Sequence, residues 1–230
     1  SSSQTTVDLG ILHVPHPRIW STTDPQLHTI SVEINGAIVT ERFGLRYWDI
    51  GQDSHGKDQI RLNGEIIKLV GWNHHTQWPD TAASPTDEQL DDDMKLLQKG
   101  NANFVRGAHY PQDPRWLDRL DEVGMVMWCE TLGPGVSVAN LQDEYFLQHQ
   151  EQQMNEMLEN AMNHASIAFW AFFNEGPSDQ ADACPGYQAS ADIIQAQDQT
   201  RFVTYASNKY PPKDLCYDAA TVISHNGYPG

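Results

Sequence analysis

The chain has 230 residues, 39% of them hydrophobic and 20% charged, which is enough for a sizeable core and matches neither a disordered nor a membrane-embedded chain. Fourteen Lys and Arg stand against 31 Asp and Glu, a net charge of −17, and a surface that negative repels phosphate backbones and anionic headgroups, so nucleic acid and membrane are excluded as partners. No run approaches the roughly 18 apolar residues of a bilayer span, and the opening SSSQTTVDLG lacks the basic-then-apolar order of a signal peptide.

Residues 10 to 50 hold apolar clusters at Ile11 to Val14 and Ile19 to Trp20, then the alternating runs HTISVEI and AIVTERF around Asn35-Gly36. Alternation broken by Asn-Gly is a hairpin signal, so this region reads as antiparallel β. It offers three or four strands where a sandwich needs about seven, which predicts a small β appendage or a sandwich entered part-way.

From about residue 60, short β-branched or aromatic runs alternate with amphipathic segments. The strand-like runs are EIIKLVGW, ANFVRGAH, GMVMWCE, SIAFWAFFNE, RFVTYAS and TVISHNGY. Between them DEQLDDDMKLLQKG, DPRWLDRLDEVG, DEYFLQHQEQQMNEMLENAMNH and YQASADIIQAQDQ carry apolar residues at helical spacing, with stops at Lys99-Gly100 and Val123-Gly124. Strand and helix in alternation predict parallel βαβ units. No G-x-G-x-x-G and no P-loop is present, which disfavours a doubly wound nucleotide-binding sheet and leaves an incomplete (β/α)8 barrel with six of its eight strands.

Polar residues gather at the C-terminal ends of these runs: Asn73-His74-His75, Arg106 with His109-Tyr110, Glu130, Asn174-Glu175, Ser207-Asn208, and His225-Asn226 with Tyr228. That face carries the active site in barrel enzymes. A single His or Asn at a strand end usually satisfies a neighbouring backbone group, and Asn174-Glu175 before Gly176-Pro177 also reads as a cap or turn. The recurrence over six strands is what points to a site. AFWAFF is a nearly continuous apolar run that stops on an amide and a carboxylate, and desolvation beside such a wall is expected to raise the pKa of Glu175 into the range of a general acid.

His74 and His75 are adjacent, so on a strand they point to opposite faces and cannot both hold one ion. No metal or other cofactor is expected, and a carboxylate-bound Mg²⁺ is supported by no motif. The three cysteines, Cys129, Cys184 and Cys216, are odd in number and far apart without a C-x-x-C pair, so no disulfide framework is predicted and the redox compartment stays open.

The motifs FGLR (43 to 46), LNG (62 to 64), GWNHH (71 to 75), NFVRGAHYP (103 to 111), LDEVGMVMWCE (120 to 130), AFFNE (171 to 175) and SHNGYPG (224 to 230) together resemble glycoside hydrolase family 2, the group of β-galactosidases, β-glucuronidases and β-mannosidases. The resemblance implies a retaining exo-β-glycosidase acting on terminal β-galactosides or β-glucuronides, homo-oligomeric when full length, with no cofactor named. Residues 1–58 would be the C-terminal part of an immunoglobulin-like sandwich and 59–230 the first six βα units of the barrel.

By the same resemblance Glu175 would protonate the glycosidic oxygen and Asn174 would bond the sugar 2-hydroxyl. His75 and His109 would line the sugar pocket, Arg106 and Glu130 would hold its floor, and Tyr228 would bond the nucleophile. Asn208 joins this substrate-binding set from its place at the end of the fifth run. The family's nucleophile follows a seventh strand, beyond Gly230, so this segment alone is expected to be inactive. The alternative is a carbohydrate-binding relative that keeps the pocket without the chemistry.

Overall fold

A computed structural model describes residues 7–131 and 133–228. The first six residues and the last two of the SHNGYPG motif therefore lie outside the described residues. Two antiparallel units come first. Strands β1 (His28–Ile34) and β2 (Ala37–Phe43) form a hairpin in which Ile34 faces Ala37 across Asn35-Gly36. Strands β3 (Trp48–Gln52), β4 (Asp58–Leu62) and β5 (Glu65–Ile66) form a separate antiparallel sheet that runs across residue 58. Ile11 to Val14 lie in no strand, and Ile19 and Trp20 make only isolated bridges, so apolar clustering without alternation did not produce β structure there.

Six parallel strands follow, side by side in chain order: β6 (Gly71–His74), β7 (Phe104–Gly107), β8 (Val126–Glu130), β9 (Ile167–Asn174), β10 (Phe202–Ser207) and β11 (Ser224–His225). The crossovers carry α1 (Asp87–Lys99), α2 (Pro114–Val123), α3 (Val138–Leu141) with α4 (Glu144–Ala161), and α5 (Cys184–Gln197). The run EIIKLVGW proves to be two strands, β5 of the antiparallel sheet and β6 of the parallel one, and the single-turn α3 had no periodic signal.

Helix ends follow local chemistry. Thr86 and Gln89 cap α1 reciprocally, and Asp113 caps α2 with Pro114 in its first turn. Gly124 ends α2 at φ 74°, where a Cβ would come within 2.8 Å of the Thr22 carbonyl oxygen.

The core alternates by strand register. Along β8, Val126 and Trp128 join one cluster while Met127 and Cys129 join the other. The larger cluster packs Val105, Trp170, Phe172 and Tyr205 under the helices through Leu90, Trp116, Leu120, Leu158 and Ile194. The smaller one holds Phe169, Ala171 and Phe202 on the opposite face and is floored by Trp20, Trp48 and Leu62, from the chain before the barrel. Each fully buried side chain of this kind contributes about 1.5–3 kcal/mol. With the floor closed at the strands' N-terminal end, the open end lies at their C-termini.

The cysteines correct the sequence reading. Cys184, opening α5, is bonded to Cys216, in the segment after β10, across 32 residues of chain. Spacing could not show this pair, because the fold brings the start of a helix against a loop remote in sequence. Cys129 is free and buried, and burial pushes its thiol up to about 12, which marks it as a packing residue. Closing a loop of this length is worth about 3.5 kcal/mol by chain entropy. Chemical denaturation of Cys184→Ala/Cys216→Ala beside wild type should show a loss of that order, and equal midpoints would show that the bridge carries no stability.

Candidate active site

Alternation along β8 turns Glu130 to the same face as Val126 and Trp128, and there it is completely buried. Both its oxygens are matched. Arg106 on β7 donates from Nε to Oε2 at 2.9 Å and from Nη2 to Oε1 at 3.2 Å, Trp128 Nε1 donates to Oε2 at 2.7 Å, and His109 Nδ1 lies 2.7 Å from Oε1. A carboxylate accepts only, so His109 carries its proton on Nδ1 and leaves Nε2 free of that bond. The Arg106 guanidinium also lies 5.1 Å from the centre of the Trp128 ring.

Arg106 carries the network on to β9 and to the loop after β11. Its Nη2 donates to Asn174 Oδ1 at 2.8 Å and its Nη1 to Asn226 Oδ1 at 3.3 Å. Asn226 Nδ2 donates in turn to Asn174 Oδ1 at 3.0 Å and to Glu175 Oε1 at 2.7 Å. Asn174 Oδ1 thus receives two donors, and its own amide hydrogens are turned from that network. Asn226 joins the buried floor to the carboxylate above it. It stood at a predicted strand end without a role, and its signal was that position alone.

The backbone at Asn174-Glu175 is unusual. Phe173 and Glu175 take φ 51° and 56°, the left-handed region that side chains other than glycine avoid. The β9–β10 register shifts at the same place, and Glu175 N–H donates to the Ala206 carbonyl at 2.8 Å. On the other side Asn174 exchanges backbone bonds with Gly133 and Gly135. Glu175 is half-buried, with Asn208 Nδ2 3.2 Å from Oε2 and the Tyr228 hydroxyl donating to Oε1.

These contacts correct one expectation. Burial does push the Glu175 carboxyl upward, but donation from Tyr228, Asn226 and Asn208 outweighs it, and the net direction is down. The Tyr228 hydroxyl, expected to bond the nucleophile, donates to Glu175 here.

His75 and His109 meet edge to face at 5.2 Å, and desolvation together with the nearby His109 holds His75 below the usual histidine value. His74 turns away, stacking on Trp116 and lying 3.0 Å from Asp93, so adjacent histidines do face opposite sides. A cavity of about 330 Å³ is lined by Asn73, Arg106, His109, Asn174, Glu175 and Tyr228, among others. The structure thus gathers Glu175, Asn174, His109, Arg106 and Tyr228 at one opening, with Glu130 beneath, Asn208 at the flank and His75 at the rim. Among the described residues no three His, Cys, Asp or Glu side chains are grouped to hold a metal ion, and no helix is long and apolar enough to cross a membrane.

The model of the TIM barrel domain of glycosyl hydrolases family 2 matches residues 55–228. The chain belongs to this family. A putative beta-glucuronidase of Formosa agariphila is 31% identical over 74% of this chain and 20% of its own length. A beta-glucuronidase of Bacteroides fragilis is 28% identical over 86% of this chain and 29% of its own. A beta-galactosidase of Staphylococcus xylosus is 25% identical over 91% and 21%. Among solved structures, a family 2 beta-galacturonidase of Eisenbergiella tayi bound to galacturonate superposes with a TM-score of 0.88 at 29% identity, over 95% of this chain and 38% of that one. The chain spans between a fifth and three-tenths of the length of these curated relatives.

Two outcomes follow from the geometry. Arg106→Met strands the buried Glu130 charge and should cost about 3 kcal/mol in urea denaturation, whereas Arg106→Met/Glu130→Leu should recover most of it; a double variant no better than the single would refute this pairing. Tyr228→Phe removes a donor from the ionised Glu175, so the carboxyl's midpoint, followed by ¹³C NMR, should rise. The sign is that of a depressed carboxylate: stability linked to it is present above its unfolded value and is lost as pH falls through the folded one. An unmoved midpoint would remove Tyr228 from the account.

Proposed function

We propose that these residues form the acid/base half of a retaining exo-β-glycosidase that releases a terminal β-linked sugar, a β-glucuronide or β-galactoside. The observation that carries the reading is the Glu175 carboxylate at the cavity wall, beside the Asn174 amide and above the Arg106–Glu130 floor. Similarity to proteins named beta-glucuronidase, beta-galactosidase and beta-galacturonidase supports the sugar class. Glu175 protonates the leaving oxygen, Asn174 donates to a sugar hydroxyl, and His75 and His109 border the ring.

Retention needs two carboxyl groups roughly 5–5.5 Å apart, one acting as nucleophile. Glu130 is unsuited to that role, because Arg106, Trp128 and His109 already occupy both its oxygens. The nucleophile is therefore supplied from outside the described residues, and this segment alone is inactive. A second carboxylate near Glu175 would also raise the Glu175 pKa by like-charge repulsion, and more so if it drew Tyr228 to itself. The same reading makes residues 1–58 the end of an immunoglobulin-like sandwich, of which the β1–β2 hairpin is the supporting piece.

The test is hydrolysis of a nitrophenyl β-glycoside panel by the full-length polypeptide and its Glu175→Gln variant. Loss of about 10²–10⁴ in kcat/KM is expected on substrates whose leaving group needs a proton, and much less on those that leave unaided. A wild type that binds the sugars and cleaves none would make the cavity a binding site.

A further inference from the structure

A second buried carboxylate lies behind Glu175. Asp214 is 5% exposed and follows β10 in the segment that ends at Cys216. Its Oδ1 accepts from the Tyr205 hydroxyl at 2.8 Å and from Cys216 N–H at 2.9 Å, and its Oδ2 accepts from Ser178 Oγ at 2.7 Å. Because Ser178 spends its only proton on Asp214, the 3.3 Å contact between Ser178 Oγ and Ser207 Oγ must be donated by Ser207. Ser207 Oγ in turn accepts from Lys209 N–H at 3.0 Å. The polarity of this chain, Lys209 to Ser207 to Ser178 to Asp214, is fixed by the carboxylate at its end.

The relay joins two turns. One is Glu175 to Ser178, leaving β9, and the other is Ser207 to Lys209, leaving β10. Asn208 sits in the second, between the two residues the relay holds, and its amide Nδ2 reaches Glu175. Its own Oδ1 is buried without a partner among the described residues, so no other side-chain bond directs Asn208. Its aim comes from its backbone. Ser178, Ser207 and Tyr205 are at most 2% exposed, which shields the relay from competing water. Leu215 N–H bonds the Ser178 carbonyl at 2.7 Å, and the Cys184–Cys216 bridge anchors the far end of the segment.

We propose that Asp214 is a positioning residue of this site: through Ser178 and Ser207 it fastens the Asn208 turn to the Glu175 turn and so holds the Asn208 amide on the Glu175 carboxylate. This rests on Glu175 being the acid/base. An amide at 214 could turn its NH2 to Ser178 Oγ, which would then accept and donate to Ser207, so the relay is broken only by removing the polar group altogether.

Three variants of the full-length polypeptide test it. Asp214→Ala and Ser178→Ala break the relay, while Tyr205→Phe removes a donor to Asp214 outside it. In the first two, the ¹³C titration midpoint of Glu175, assigned with Glu175→Gln, should rise, and the basic limb of the pH–kcat/KM profile should move up with it. On glycosides with poor leaving groups the rate should fall roughly 10- to 100-fold, the scale of a misplaced group, and on good leaving groups it should hold. Tyr205→Phe should lower the melting temperature and leave midpoint and limb in place. A folded Ser178→Ala with an unmoved midpoint overturns the proposal, as does a Tyr205→Phe that shifts it equally. A wild type that hydrolyses nothing defeats the glycosidase reading, yet the midpoint still decides the positioning role.

Discussion

Burying the Glu130 carboxylate completely is the constraint around which the open end of the half-barrel is arranged. An unpaired charge in that position costs several kcal/mol, so each oxygen needs donors from different elements. Arg106 on β7, Trp128 on β8 itself and His109 after β7 supply them. Arg106 has donors left over once Glu130 is matched, and these reach Asn174 on β9 and Asn226 just after β11. One buried charge thus ties together three of the six parallel strands and the loop leaving a fourth, and the positions of Asn174 and Glu175 depend on it.

A hydrophobic counterpart lies beneath. Trp20, Trp48 and Leu62 come from the chain before the barrel, yet they pack with Phe169 and Phe202 under the site. The antiparallel segment therefore serves as the barrel's floor. With apolar side chains closing one end and the Arg106–Glu130 pair above them, the cavity lies at the C-terminal ends of the strands, where the loops carry Asn208, Asn226 and Tyr228.

Much of this was legible in the sequence because it depends on local periodicity. The six parallel strands, four helices, the Asn35-Gly36 hairpin and the stops at Gly100 and Gly124 all follow from spacing, as does the opposite facing of His74 and His75. What could not be read depends on distant segments meeting. Cys184 and Cys216 bond because α5 and the β10 loop lie side by side, and Asn226 matters because β11 brings it under Glu175. The expected upward shift at Glu175 failed for the same reason. The apolar run before it was visible, but donors from the loops after β10 and β11 were not.

The direction of that shift bears on how the acid is built. A carboxylate held by three donors is poised to accept, and a general acid must hold a proton until the bond breaks. Of its donors, Asn226 is committed through Arg106 to the Glu130 network and Asn208 is aimed by its turn, but Tyr228 is exposed and meets no other described side chain by hydrogen bond. Tyr228 is thus the donor most easily withdrawn. If a nearby carboxylate drew it away, one stabilising bond would be exchanged for one repelling charge, and both changes act upward on Glu175. In the proposed mechanism the protonation state would then be a property of the two carboxylates together, with the fixed amides setting where Glu175 points and the tyrosine setting when it keeps its proton.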